Sequence, residues 1–141
     1  MLFLVLLQSC DLTNDDVPAC DKNAPISLNE SDRCANAIAL SYSNDPQLPM
    51  EQITLRFVFG GGTFQIGLNT SSITAKTYSY PGNVDFSFPE LNKGGSGTVT
   101  ITKIDREARK ISGSFNLSAE AAANYTAYDY QVSGSFTDVS F

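Results

Sequence analysis

Three cysteines, fifteen carboxylates and six tyrosines are the groups in this 141-residue chain that could do chemistry, and the chain holds no histidine. Without an imidazole, Ser-His-Asp and Cys-His nucleophile systems, histidine general bases and nearly every catalytic zinc site are excluded. A pair of carboxylates about 5–9.5 Å apart would suffice for glycoside hydrolysis, and Asp85, Glu90, Glu120 and Asp129 are the acids that could approach one another. They are scattered as acids are in any soluble β-protein, so no catalytic residue is assigned and a non-enzymatic protein is expected. Asp11, Asn14, Asp15, Asp16, Asp21 and Asn23 offer oxygen ligands, but the EF-hand spacing with its glycine and distal glutamate is missing. A solvated charged stalk accounts for them better, and neither a metal nor a cofactor is expected. Gly60-Gly61-Gly62 joins two apolar runs instead of opening a helix, so it is no phosphate cradle.

The cysteines divide into one and two. Leu2 to Leu7 is an uninterrupted apolar run that leads through Gln8 and Ser9 to Cys10, after which the sequence turns polar and acidic. A membrane-spanning helix needs roughly 20 apolar residues. A secretory leader needs an apolar stretch of about 7–15 and a small residue at its cleavage site. Residues 1–9 therefore read as a lipoprotein signal peptide and Cys10 as the lipidated residue, each buried methylene of the anchor contributing about 0.8 kcal/mol. No Lys or Arg precedes the run, which leaves room for a true start upstream. The alternative is a buried strand over 2–7 with Cys10 as a core thiol. Cys20 and Cys34 remain as an even pair, which in an oxidising compartment reads as a disulfide. Closing a loop of about 15 residues would stabilise the fold by roughly 3 kcal/mol.

Charge follows the same division. Residues 11–51 carry eight acids against two bases, while 52–141 carry seven of each. An acidic tether over 10–19, spanning roughly 30 Å when extended, would thus precede a neutral body over 20–141. Such a body has no basic footprint for nucleic acid, and the acidic tether would be repelled by anionic lipid.

Tyrosine supplies the remaining functional candidates. Tyr78 and Tyr80 share one face of a strand, and Tyr128 and Tyr130 share one face of another, with Tyr125 nearby. A tyrosine joins an apolar ring to a polar tip, which suits a sugar platform or the wall of a ligand cavity. Alternating aromatics also make ordinary half-buried core, and there is no tryptophan. A glycan, a small amphiphile or a surface protein is the expected partner, besides the membrane itself.

The elements that must position these groups are strands. From Ile53 onward the apolar period is two: Ile53, Leu55, Phe57 and Phe59; then Phe64, Ile66 and Leu68; then Ile73 to Tyr80; then Val84, Phe86 and Phe88. Strands over Thr98–Ile104, Ile111–Leu117 and Tyr128–Phe136 follow, and one over Asn36–Tyr42 precedes. A loop is expected at Ser43–Pro49. Capping-box spacing at Ser27-Leu28-Asn29-Glu30 predicts a short helical turn near 28–33, and the alanine-rich 119–123 predicts another. Ile111-Ser112-Gly113-Ser114-Phe115 recurs as Val132-Ser133-Gly134-Ser135-Phe136, the pattern of two neighbouring antiparallel strands. About eight strands with short turns give an all-β fold, a single antiparallel β-sandwich or a flattened up-and-down barrel with at most short helical turns.

Gly97-Thr98-Val99-Thr100-Ile101-Thr102-Lys103-Ile104-Asp105, the two S-G-S-F repeats and the closing Thr137-Asp138-Val139 together resemble the small β-rich lipoprotein domains of unknown function common in Bacteroidota. Thr77-Tyr78 resembles that family's G-T-Y element, with Lys76 where glycine is usual. The leader and Asn14-Asp15-Asp16 resemble the export tract of its surface lipoproteins. The resemblance implies an exported β-domain, lipid-anchored at the outer membrane of a Gram-negative bacterium. It carries no activity and no functional residue.

Overall fold

A computed structural model describes residues 20–88, 93–120 and 130–141. The leader, Cys10 and the acidic tether lie outside the described residues. The described residues form nine strands: β1 (Ala24–Leu28), β2 (Ser31–Asp45), β3 (Met50–Phe59), β4 (Gly62–Thr70), β5 (Thr77–Tyr80), β6 (Val84–Ser87), β7 (Lys93–Asp105), β8 (Lys110–Glu120) and β9 (Tyr130–Ser140). All pairings are antiparallel, and the described residues contain no helix.

The strands make one sheet in the order β5-β7-β8-β9-β1-β2-β3-β4-β6. Its two edges, β5 and β6, are consecutive in sequence and joined by Pro81-Gly82-Asn83, with a cis Tyr80–Pro81 bond. The sheet is therefore curled into a nearly closed barrel whose seam lies between β5 and β6. Those two strands share no ladder. Instead the Tyr80 ring packs edge-on against Phe86 with centroids 4.8 Å apart.

Alternation along each strand builds the core. Ile53, Leu55 and Phe57 point inward from β3, and Phe64, Ile66 and Leu68 from β4, each 2 % exposed or less. Phe57 stacks on Phe64 at 4.7 Å and meets the edges of Phe115 and Phe136, from β8 and β9, at 5.0 and 5.9 Å. Opposite walls thus touch through aromatic rings, so the barrel is flattened and filled at this level. Burying each phenylalanine contributes about 1.5–3 kcal/mol.

The S-G-S-F repeat sets a glycine against a phenylalanine twice, and the two glycines make room for different neighbours. β8 and β9 are neighbours, with Gly113 opposite Phe136 and Phe115 opposite Gly134. A Cβ built on Gly113 would lie 2.8 Å from Phe136 Cζ and 2.4 Å from the Thr100 carbonyl oxygen. One built on Gly134 would lie 2.6 Å from the Pro25 carbonyl oxygen. Each bare glycine gives the neighbouring strand room for a ring or a close backbone.

Several sequence expectations are corrected. No helical turn occupies 28–33. Leu28 and Ser31 pair across a two-residue hairpin turn, with Asn29 and Glu30 at φ 48° and 65°, the geometry that suits strand twist. Ser27 cannot cap a helix there because it pairs with Asp32 on one side and Ser133 on the other. The loop expected from Ser43 begins only after Asp45, since a bulge between Ala39 and Ser41 resets the register and lets β2 continue. The strand expected from Ile73 begins at Thr77. Ala119 and Glu120 belong to β8, and the rest of the predicted second helical turn lies outside the described residues. The final strand, described from Tyr130, runs on past Phe136 to Ser140, and Tyr128 lies outside the described residues.

Cys20 and Cys34 are disulfide-bonded, Cα to Cα 5.3 Å. The bond ties the segment entering β1 to β2, where Cys34 sits opposite Pro25. Asn23 strengthens the same junction: its side-chain amide donates to the Ala37 carbonyl and accepts from the Ala37 N–H, both at 2.8 Å. That amide is committed to the backbone of β2, which removes it from the oxygen-ligand set considered from sequence.

Candidate functional site

At the seam, the strand period and the Pro81-Gly82-Asn83 turn bring aromatic residues of three strands into one row. Tyr80 ends β5 and Phe86 lies within β6, while Phe88 follows β6 and Tyr130 opens β9. Tyr80 meets Phe86 at 4.8 Å, Phe86 meets Phe88 at 6.2 Å, and Phe88 stacks on Tyr130 at 5.5 Å with 23° between planes. Phe88 also stacks on Phe64, linking the row to the core. Tyr80, Phe86 and Tyr130 are half-buried, whereas Phe88 is buried. Aromatic pairs of this kind contribute about 0.5–1.5 kcal/mol beyond burial, so the row is held in place before anything binds. Space for Phe86 comes from Gly95, where a Cβ would lie 2.8 Å from Phe86 Cζ and 1.9 Å from the Ser118 carbonyl oxygen.

Of the four tyrosines picked from sequence, Tyr80 and Tyr130 are thus joined through two phenylalanines. Tyr78 is not a surface residue. It is 2 % exposed, and its hydroxyl accepts from the Thr74 N–H at 2.7 Å and donates to the Thr74 carbonyl at 3.1 Å. Both its ring and its polar tip are used by the fold, so no ligand contact is assigned to it. Tyr128 and Tyr125 lie outside the described residues. Asp85 is exposed on β6, while Glu90, Asp129 and the side chain of Glu120 lie outside the described residues. Among the described residues, no three His, Cys, Asp or Glu side chains come together to hold a metal ion.

A second polar constellation, unforeseen from sequence, sits where β3 begins. Glu51 is 2 % exposed. One carboxylate oxygen, Oε1, accepts from the Tyr42 hydroxyl at 2.8 Å. The other, Oε2, accepts from the Ile73 N–H at 2.6 Å and from Arg106 Nη2 at 2.8 Å. The same Arg106 nitrogen donates to the Ile73 carbonyl at 2.7 Å. Burial pushes the Glu51 pKa up, but the Ile73 N–H, the Arg106 guanidinium and the Tyr42 hydroxyl outweigh it and hold the carboxyl below its ordinary range. Burial and the hydrogen bond to Glu51 raise Tyr42, and the bond to Glu51 raises Arg106. A signal for Glu51 did exist. It stands two residues before Ile53, on the same strand face as Ile53, Leu55 and Phe57, so period two places its carboxylate inside. The partners Arg106 and Ile73 lie too far along the chain for spacing to reveal.

Chemically this second site is saturated: both carboxylate oxygens are engaged, and the arrangement binds backbone. In the aromatic row, by contrast, Tyr80, Phe86 and Tyr130 each keep part of their surface exposed. Residues 43–140 match the family model described as Domain of unknown function (DUF6252), which covers β3 to β9 and the end of β2. No curated protein and no solved structure matches the chain.

Proposed function

The chain belongs to this family of domains of unknown function, and from that premise we propose that it is an exported, non-enzymatic β-barrel domain. In this reading it is lipid-anchored through Cys10 and binds a glycan or small amphiphile on the Tyr80–Phe86–Phe88–Tyr130 row. Residues 1–9 act as the signal peptide, and the outer membrane of a Gram-negative bacterium, as in the Bacteroidota lipoproteins it resembles, is the destination. The half-buried aromatic row at the seam is the observation that carries the binding assignment. A filled interior supports it too, because opposed phenylalanines occupy the space a lumen ligand would need. The Cys20–Cys34 disulfide fits an oxidising compartment outside the cytoplasm.

Tyrosine emission titrated with glycan and amphiphile panels tests this. The expected result is a saturable change with one class of compound that Tyr80→Ala and Tyr130→Ala each weaken. A flat response across both panels rejects it. A second reading, an accessory subunit of a surface assembly, is favoured by Ile38, Leu40, Met50 and Val58 on β2 and β3, each 39–43 % exposed. Crosslinking on intact cells separates the two, since an accessory subunit would be captured with a discrete partner.

A further inference from the structure

The seam is also the weakest part of the sheet. β5 is held to β7 by four residue pairs and β6 to β4 by four, whereas β3 and β4 share nine. Short edge strands with few ladder bonds are where a fold opens locally at least cost. Between β4, which lies next to the edge strand β6, and β5 at the opposite edge the chain must cross the seam, and segment 71–76 makes that crossing.

This crossing segment is fastened in an unusual way. Ile73 is fully buried. Its N–H is taken by Glu51 and its carbonyl by Arg106, while the next residue, Thr74, has both backbone groups bonded to the Tyr78 hydroxyl. Lys76 contributes its carbonyl to the Ile101 N–H at 2.9 Å. Beyond it, β5, the Pro81-Gly82-Asn83 turn and β6 continue with Tyr78 and Val84 buried. The strongest fastening therefore lies at one end of this stretch. It depends on a buried charge from β3 and a half-exposed arginine from the β7–β8 turn.

We propose that residues 71–87 form a flap over the barrel seam, latched by the Glu51–Arg106 pair and released as a unit when Glu51 is neutralised. Neutral Glu51 keeps at most a weak acceptor for Ile73 and loses its attraction for Arg106, so the buried N–H and carbonyl of Ile73 lose their charged partners. Release uncovers the edges of β4 and β7 and the apolar interior behind Ile73, Tyr78 and Val84. Among the described residues, the titratable or charged groups facing Glu51 are Tyr42 on β2 and Arg106 on the β7–β8 turn. Tyr42 in turn packs on the Phe141 ring, over which the Arg109 guanidinium also lies. Tyr80 and Phe86 lie within the flap, so its release also separates them from Phe88 and Tyr130, whichever ligand the aromatic row takes.

Amide hydrogen exchange on the full chain tests the proposal. In Glu51→Gln, amides of Ile73, Thr74, β5 and β6 should exchange together, about 10- to 100-fold faster than in wild type, with amides of β3 and β8 unchanged. Arg106→Gln, a change at a half-exposed site, should accelerate the same set, and so should acidification of wild type once intrinsic exchange is corrected for. Acceleration of Ile73 alone would reduce the latch to one local bond. Uniform acceleration across all nine strands would make Glu51 a determinant of global stability only. Either outcome overturns the flap.

Discussion

Replacing Gly113 by alanine adds a single methyl group, yet the geometry around it makes the substitution severe. That methyl carbon would sit 2.4 Å from the Thr100 carbonyl oxygen and 2.8 Å from Phe136 Cζ. The carbonyl is backbone within β7 and cannot rotate away. Phe136 is 1 % exposed and its ring rests edge-on against Phe57, so it cannot swing out either. Relief must come from spreading β7 and β8 near the Ile101–Gly113 pair. Overpacking of this kind costs about 1–3 kcal/mol, and weakening one or two ladder bonds adds about 0.5–1.5 kcal/mol each. The expected destabilisation is about 2–4 kcal/mol. Urea unfolding should show it as a midpoint lowered by about 1–2 M with an unchanged slope.

Gly67→Ala is the matched control. Its Cβ would meet nothing nearer than Asp85 at 3.7 Å, an ordinary contact. Alanine there should leave stability unchanged or raise it by about 0.4–1 kcal/mol. Should Gly113→Ala fall within about 0.5 kcal/mol of wild type, or should the two variants behave alike, the tight fit of Gly113 between Thr100 and Phe136 would be refuted.

Other consequences can be checked on the same protein. Glu51 has a folded pKa below its ordinary value of 4.5, so its carboxylate stabilises the fold above the unfolded pKa, and this stabilisation is lost as pH falls through the folded pKa. Wild type should therefore lose more stability than Glu51→Gln between about pH 5 and pH 3, as read by urea midpoints, and parallel curves would contradict the assignment. Removing the disulfide with Cys20→Ser and Cys34→Ser together should cost about 3 kcal/mol in the same assay. Phe57→Ala, at the contact of opposite barrel walls, should cost about 3–5 kcal/mol. A much smaller loss would mean the walls do not rely on that ring.

Period two made most of the strands legible because each buries one face. Gly60-Gly61-Gly62 and Pro81-Gly82-Asn83 marked their turns for the same physical reason, a backbone conformation other residues resist. The repeated S-G-S-F motif revealed β8 and β9 as neighbours, but not that Gly113 yields to Phe136 while Gly134 yields to the backbone of β1 and Ile26. Ser27-Leu28-Asn29-Glu30 misled because the same four residues satisfy a capping box and a hairpin turn, and pairing on both sides of Ser27 decides between them. Tyr78 misled because alternation reports a face without saying which face is inside. The Glu51–Ile73–Arg106 cluster was hidden because its members meet only after the sheet curls, across 22 and 33 residues of chain. Likewise the row from Tyr80 to Tyr130 exists only because Phe86 and Phe88 bridge it.

Anchoring of the domain rests on the fate of Cys10, which intact-mass measurement of the protein taken from its own membranes reports. The expected mass is that of a chain starting at Cys10 and carrying a diacylglyceryl group and an amide-linked acyl chain. A mass showing residues 1–9 retained, or Cys10 bare, would contradict an anchored, exported domain.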